Sequence, residues 1–450
     1  MSDVLEPIHT FFETKGWTPL DFQEKTWQAY AQGKSGLIQV PTGSGKTFAA
    51  TLAPVADMVA QPSKGLKLLY LTPLRAVSRD IEKALSDALA QIDSDLRVES
   101  RTGDTKQSAR KRQMKDMPDV LLTTPESLSV LLSYKGAFKL FGGLRTVVVD
   151  EWHELLSTKR GTQTELCLAR LRTLAPELRT WAMSASISNL QEAAQAATGL
   201  EKPLIIRSSL KRNIDIQSVL PERINSFPWA GHLGSAMLKP LLEALEIRRS
   251  TLIFTNTRRQ AERWYQLLVG AAPEYAELIA LHHGSIERAE RERVEAGVKD
   301  GSVKWVVATS SLDLGVDFQQ VERVVQIGSP KAIARVMQRA GRSAHAPGGT
   351  SELLFVPTNA LELVEIAAAR RALKEGVVEA RHPLKKPFDV LAQHLVTLAC
   401  GDGFTRQGVL AEIRSAAAYA AMTDEEFGDV MNLIEHGGRS LRAYPEYRKV

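Results

Sequence analysis

Brief, β-rich apolar runs alternate with longer stretches of helical periodicity along most of the chain. The runs read GLIQVP at 36–41, KLLYLT at 67–72, DVLLTT at 119–124, RTVVVDE at 145–151, RTWAMSA at 179–185 and LIIR at 204–207. Between them, stretches such as 47–60 place Phe48, Leu52, Val55 and Val59 on one helical face. Strands apolar on both faces and separated by helices predict βα units that build a buried parallel sheet. The pattern pauses over 208–249, where Pro221, Pro228 and several glycines interrupt it. It resumes with STLIFT at 250–255, ELIALHH at 277–283, KWVVATS at 304–310, ERVVQIG at 322–328 and ELLFVP at 352–357. Two successive α/β sheets of similar size are therefore expected up to about residue 380.

The tail reads differently. Helical segments are expected over roughly 387–400, 406–417 and 423–436, followed by Gly437-Gly438 and the alternating stretch SLRAYPEYRKV. Three helices and a β-like ribbon predict a winged helix. The sequence stops where a wing would still be pairing, so further sequence is expected to follow. The boundaries expected are 1–207 and 208–380 for the two sheet domains and 381–450 for the winged helix.

Composition narrows the chemistry. A length of 450 residues calls for several domains, and 44% hydrophobic with 24% charged residues is ordinary for a globular protein. The two cysteines, Cys167 and Cys400, have neither CxxC nor Cys/His ligand spacing, which excludes a disulfide framework and a cysteine zinc site. The N-terminus lacks a basic start followed by an apolar run, and no stretch approaches the roughly 18 apolar residues of a membrane span. A cytoplasmic location is expected. The net charge of +5 is a mild excess that permits a polyanionic partner without demanding one.

PTGSGKT at 41–47 follows an apolar run and opens an amphipathic helix, the setting of a phosphate-binding loop. Its glycines let backbone N–H groups turn inward, and a helix N-terminus favours anions. Thr42, Gly43, Ser44 and Gly45 are the expected cradle for ATP, Lys46 the counter-charge for its phosphates, and Thr47 a hydroxyl ligand for Mg²⁺. Val40 stands where the generic pattern has its leading glycine. VVVDEWHEL at 147–155 then places carboxylates at the C-terminal end of a strand, where α/β folds bind ligands. Asp150 is expected to hold Mg²⁺ through water and Glu151 to orient and deprotonate the attacking water. An acidic strand end alone is commonly a solvated cap; the phosphate loop about one hundred residues earlier gives this one its meaning.

These two motifs resemble those of superfamily 2 helicases, and the resemblance extends over residues 15–350. TPLRA at 72–76 is similar to motif Ia, TTPESL at 123–128 to motif Ib, and SAS at 184–186 to motif III, with Ser186 in place of the usual threonine. TLIFTNTRRQAE at 251–262 resembles motif IV, ATSSLDLGVD at 308–317 motif V and QRAGRSAH at 338–345 motif VI. The resemblance implies two tandem RecA-like domains with ATP and Mg²⁺ as cofactors. It gives Gln23 the role of an adenine-reading glutamine and places Asp317 beside the nucleotide. It brings Gln338 into hydrolysis and makes Arg342 an arginine finger supported by Arg339, which is itself counted among the cofactor-binding residues. His345 stands where the family often has a further arginine. His153 is read either as a relay to Gln338 or as a packed histidine.

Nucleic-acid contacts follow from the same resemblance: Arg75, Thr124, Thr255, Arg258 and Thr309 are assigned to the phosphate backbone. Hydroxyls and guanidinium groups carry no base information, so binding independent of sequence is expected. The basic run SARKRQMK at 108–115 either widens this footprint or is a solvated helix face. Within the superfamily, DEWHEL, GSPKAIARVMQRAGRSAH, KPFDVLAQHLVTLA and GGRSLRAYPEYRKV resemble the Lhr (large helicase-related) proteins, in particular their ligase-associated branch. That resemblance implies an ATP-dependent 3′→5′ translocase on single-stranded DNA or RNA. Its substrates would be tailed duplexes or RNA–DNA hybrids, and its partners DNA-repair proteins. An ATP-gated clamp or remodelling factor without strand separation has the same motifs.

Only twenty residues separate Asp317 from Gln338, too few for a long strand-splitting hairpin beside the strand and helix they encode. The wedge is therefore expected in the winged helix or beyond it. Deleting 381–450 is expected to abolish unwinding and spare ATP hydrolysis.

Overall fold

A computed structural model of the chain describes residues 3–41, 43–73, 75–92, 95–208, 213–221, 227–229, 234–313, 321–343 and 350–437. The chain forms two compact units, the first of residues 1–40, 45–208 and 380–450, the second of 209–379 with 41–44.

In the first unit seven parallel strands form one sheet: β1 (Gly36–Gln39), β2 (Leu68–Leu71), β3 (Val98–Arg101), β4 (Val120–Thr123), β5 (Thr146–Val149), β6 (Arg179–Ser184) and β7 (Leu204–Arg207). Their order across the sheet is β3-β4-β2-β5-β6-β1-β7. Every residue of β2, β4 and β5 is buried, as sequences with three aliphatic residues in four require of strands covered on both faces. The edge strand β3, Val-Glu-Ser-Arg, is only half buried and carries no apolar run. The order sets β2, β5, β6 and β1 side by side, so the chain segments leaving their C-terminal ends converge.

The second unit repeats the plan with β8 (Asn213–Ser218), β9 (Thr251–Phe254), β10 (Ile279–His282), β11 (Trp305–Ala308), β12 (Arg323–Ile327) and β13 (Thr350–Val356), ordered β10-β11-β9-β12-β13-β8. All their pairings are parallel. Edge strand β8 lies inside the stretch read from sequence as a pause. Its alternation, with Ile214 and Ile216 turned inward and Asn213, Asp215 and Gln217 exposed, is that of a strand covered on one side.

The tail folds as expected into helices Phe388–Cys400, Arg406–Arg414 and Asp424–His436. The ribbon expected after Gly437 lies outside the described residues. The packing of these helices alters the expectation for the deletion. Leu391, Leu395, Leu398, Ile413, Phe427 and Met431 share one continuous core with Leu131, Leu166 and Leu171 of the first unit. Polar anchors reinforce the seam: Arg170 pairs with Glu412 at 3.2 Å, Asp402 accepts from the Gly136 and Phe138 N–H groups, and the Ala418 N–H donates to Glu165 at 2.9 Å. Burial pushes the Glu165 carboxyl up to about 8, so it stands largely protonated at neutral pH.

Removing 381–450 therefore uncovers the core of the first unit instead of sparing that unit. The deletion strips the cover from Leu131, Leu166 and Leu171, and exposing three such side chains at about 1.5–3 kcal/mol each takes a large share of the stability of a typical domain. The truncated chain is expected to melt at least about 10 °C lower, or to remain insoluble. Thermal unfolding read by circular dichroism checks this. An unshifted midpoint with full ATPase activity would contradict the shared core.

Candidate nucleotide and nucleic-acid site

The phosphate loop leaves β1 and enters helix Lys46–Ala60. Gly43 and Gly45 hold φ of 73° and 82°, left-handed backbone that lets successive N–H groups face inward. At Gly45 space is also short, since a Cβ there would lie 2.8 Å from Gln23 Nε2. Gln23, on helix Asp21–Ala31, is buried. Its Oε1 accepts from the Leu20 N–H at 2.9 Å and its Nε2 donates to the Gly45 carbonyl at 3.2 Å. The glutamine expected to read adenine thus also buttresses the loop. Ser44 Oγ donates to the Pro41 carbonyl at 2.6 Å. Thr42 lies outside the described residues.

Two strands away, the Asp150 N–H donates to the Leu71 carbonyl at 2.8 Å, which fixes the end of β5 against β2. Asp150 Oδ1 accepts from the Glu151 N–H at 2.9 Å. Burial, and then the neighbouring Glu151 charge, push the Asp150 carboxyl up to about 6. Glu151 adopts φ 44°, a strained conformation for a residue with a side chain and one that clusters at functional sites. It places Oε1 at 3.0 Å from Lys46 Nζ. Lys46, Asp150 and Glu151, read from motifs 104 residues apart (46 to 150), therefore meet in one pocket. Thr47 occupies the same helix turn as Lys46.

His153 is sealed from solvent, with Nδ1 at 3.1 Å from Ser184 Oγ and 3.6 Å from Glu151 Oε2. Desolvation pulls its pKa down, so it stands neutral. Sequence reading left it either as a relay to Gln338 or as a packed histidine. Within its own unit it joins the acidic motif to the serine motif on β6. Ser186, the departure from the family threonine, is buried. Sequence reading passed over Tyr70 on β2, although a phenol set between leucines in KLLYLT is a signal. It is wholly buried and faces Thr47 and Asp150.

A hydroxyl and a carboxylate are hard oxygen donors of the kind Mg²⁺ takes. Among the described residues no group of three or more His, Cys, Asp or Glu could hold a metal ion. Thr47 and Asp150 fit a cation that draws its remaining ligands from phosphates and water.

In the second unit Arg339 and Arg342 separate in role. Arg339, only 1% exposed, donates to Asp313 at 2.7 and 3.2 Å and to Gln326 Oε1, and lies 4.6 Å from the Phe254 ring centroid. The expectation that Arg339 contacts the cofactor is corrected. Its guanidinium is an internal strut tying helix Ile333–Ala340 to the sheet, and Asp313, the strut's partner, went unread in LDLGVD. Gln338 is buried on the same helix, while Arg342 follows its end and is partly exposed. Asp317 and His345 lie outside the described residues.

The expected nucleic-acid contacts also divide. The Arg258 side chain is exposed at the start of helix Arg258–Ala271. Thr255 is 0% exposed and its hydroxyl donates inward to the Thr257 and Ala308 carbonyls, so its side chain is not available to a ligand as expected. Thr124 is likewise buried, committed as the cap of helix Pro125–Leu132, where it accepts from the Ser127 N–H. This corrects both threonines from phosphate contacts to supports of the backbone at strand ends. Thr309 is nearly buried, and the Arg75 side chain lies outside the described residues. In the basic run, Arg110 donates to the Thr102 and Gly103 carbonyls and Arg112 pairs with Glu99, so these two cations shape the turn after β3.

Comparison with known proteins agrees with this geometry. The family model for DEAD/DEAH box helicases matches residues 20–193, and that for the helicase conserved C-terminal domain matches 236–346. A third, the winged helix domain of large helicase-related protein, matches 371–450. The chain belongs to the Lhr family. Curated Lhr relatives include the ATP-dependent helicase Lhr-Core protein 2 of Thermococcus barophilus, 32% identical across 99% of this chain and 54% of the relative. The ATP-dependent helicase Lhr-Core of Methanocaldococcus jannaschii is also 32% identical, across 98% and 54%. The chain thus spans about half the length of the curated Lhr relatives it matches. Among solved structures, helicase Lhr of Mycobacterium smegmatis bound to ssDNA and AMP-PNP is similar with a TM-score of 0.85 and 30% identity, over 95% of this chain and 57% of that one. The two RecA-like sheet domains and winged helix of this Lhr chain accord with all three matches. Among its described residues no helix is long and apolar enough to cross a membrane.

Proposed function

We propose that this Lhr chain is the motor portion of an ATP-driven nucleic-acid helicase. It moves 3′→5′ along single-stranded DNA and opens tailed DNA duplexes or RNA–DNA hybrids in DNA repair, within the ligase-associated branch. Its domains are taken as 1–207, 208–380 and 381–450. The observation that carries the reading is the convergence of Lys46, Asp150 and Glu151 beyond the ends of β1 and β5, with Lys46 Nζ and Glu151 Oε1 at 3.0 Å. Inward-turned N–H groups and a lysine at a helix start suit a triphosphate, and a strained carboxylate beside them suits a base for water.

In this reading the loop from Thr42 to Gly45 seats the phosphates, Lys46 neutralises them, and Gln23 senses the base while holding Gly45. Mg²⁺, when bound, supplies further charge neutralisation on the phosphates. Thr47 and Asp150 would hold it. Glu151 orients the attacking water and accepts its proton. Arg342 acts as the arginine finger for the charge that develops in phosphoryl transfer, Gln338 takes part in hydrolysis and Asp317 in nucleotide binding. Arg75, Arg258 and Thr309 grip the sugar–phosphate strand without reading bases. The names of the relatives and the ssDNA held by the M. smegmatis protein support the polynucleotide partner.

The test is ATP hydrolysis with single-stranded DNA, with RNA and with neither, followed by tailed duplexes of both polarities. Hydrolysis is expected to rise several-fold with polynucleotide, and 3′-tailed duplexes to release a strand. One unchanging rate under all three conditions would refute the motor. Stimulated hydrolysis without strand release would identify a clamp or remodelling factor instead.

A further inference from the structure

Tyr70 has no counterpart among the roles described so far, yet its setting is specific. Its strand, β2, is paired residue for residue with β5, Tyr70 opposite Val148, two positions before Asp150. The side chain enters the face of the sheet covered by helix Lys46–Ala60, among Ile38, Ala50 and Met183. A phenol that could sit in this apolar layer only at a desolvation cost carries its hydroxyl to the first turn of that helix. There the oxygen is fully sealed from solvent and faces Thr47 and Asp150. Full hydrogen-bond geometry is reached with neither in this structure.

We propose that Tyr70 is a positioning residue for the cation-binding oxygens of the nucleotide site, accepting a hydrogen bond from the Thr47 hydroxyl and donating one to the Asp150 carboxylate. A phenol has one proton to give and lone pairs to receive another. The carboxylate is the stronger acceptor and takes the phenol proton, while the threonine proton turns toward the phenol oxygen. Both consequences favour a cation. The Thr47 lone pairs are left facing the pocket. Asp150, with Oδ1 already engaged by the Glu151 N–H, is held in one rotamer. A supporting hydroxyl of this kind orients metal ligands from behind.

The inference rests on the ATPase reading, and its test reports binding, not turnover. Tyr70→Phe removes a single oxygen and keeps the ring in the core, so the fold is expected to persist, which a melting curve verifies. Equilibrium binding of a fluorescent ADP analogue is titrated with Mg²⁺ and, separately, measured in EDTA. The expected result is an Mg²⁺ midpoint about tenfold higher in Tyr70→Phe, with EDTA affinity unchanged. Equal midpoints in the two proteins would overturn the proposal. So would an affinity loss of the same size with and without Mg²⁺, which marks the tyrosine as packing alone. An unaltered chain that binds no nucleotide under either condition would instead refute the ATPase reading beneath it.

Discussion

Glu151→Gln is expected to keep nucleotide affinity and to lower turnover by about 10³-fold. The substitution is isosteric and leaves the strained turn at φ 44° in place, so the amide occupies the space of the carboxylate. What changes is charge. Lys46 Nζ, 3.0 Å from Glu151 Oε1, no longer shares its positive charge with a carboxylate and has more to offer a phosphate. Binding should therefore hold or tighten, while an amide cannot take a proton from water. Single-turnover hydrolysis beside equilibrium binding of a fluorescent nucleotide separates the two effects. A variant that loses both equally would show that Glu151 acts through the fold of the loop and not through chemistry.

Arg342→Ala is expected to cost at least about 10³-fold in polynucleotide-stimulated turnover, with nucleotide binding close to that of the unaltered chain. The position is well supported: the Arg342 N–H donates to the Arg339 carbonyl at 2.9 Å, and Arg339 is itself locked by Asp313 and Gln326. Its backbone stands on a fixed base while the side chain remains partly exposed. Lysine at 342 should rescue little, because a compact ammonium does not reproduce a planar fork of donors. Normal stimulated hydrolysis by Arg342→Ala would remove the finger from the mechanism.

How far the sequence could be read depended on how each residue is surrounded. Doubly covered strands announce themselves, because three residues in four of β2, β4 and β5 are aliphatic. The edges do not. In β3 (Val-Glu-Ser-Arg) and β8 (Asn-Ile-Asp-Ile-Gln-Ser), polar residues outnumber apolar ones, and four to six residues give alternation little weight. Motifs named Lys46, Asp150 and Glu151 correctly as neighbours, since loops at strand ends meet by topology.

Motifs could not say which polar group in a motif turns inward. Arg339 and Arg342 are three residues apart, yet the fold buries one and leaves the other partly exposed. Thr255 and Thr124 carry the right chemistry for phosphate, but their hydroxyls are consumed by carbonyls and a helix cap. The tail was legible as three helices and not as a layer of the first unit, because an apolar helix face does not name the surface that covers it.

That layer has a consequence for biosynthesis. The first unit is discontinuous, with the whole second unit threaded between its residues 208 and 380. A nascent chain leaving the ribosome therefore exposes the ridge around Leu131, Leu166 and Leu171 until the helices that hold Leu391 to Ile434 have followed. At ordinary rates of elongation that interval is on the order of ten seconds or more, during which the nucleotide pocket is built on an open hydrophobic flank. Ribosomes arrested before the last helix should accordingly carry chains that chaperones hold and proteases cut, and a few more codons should release them.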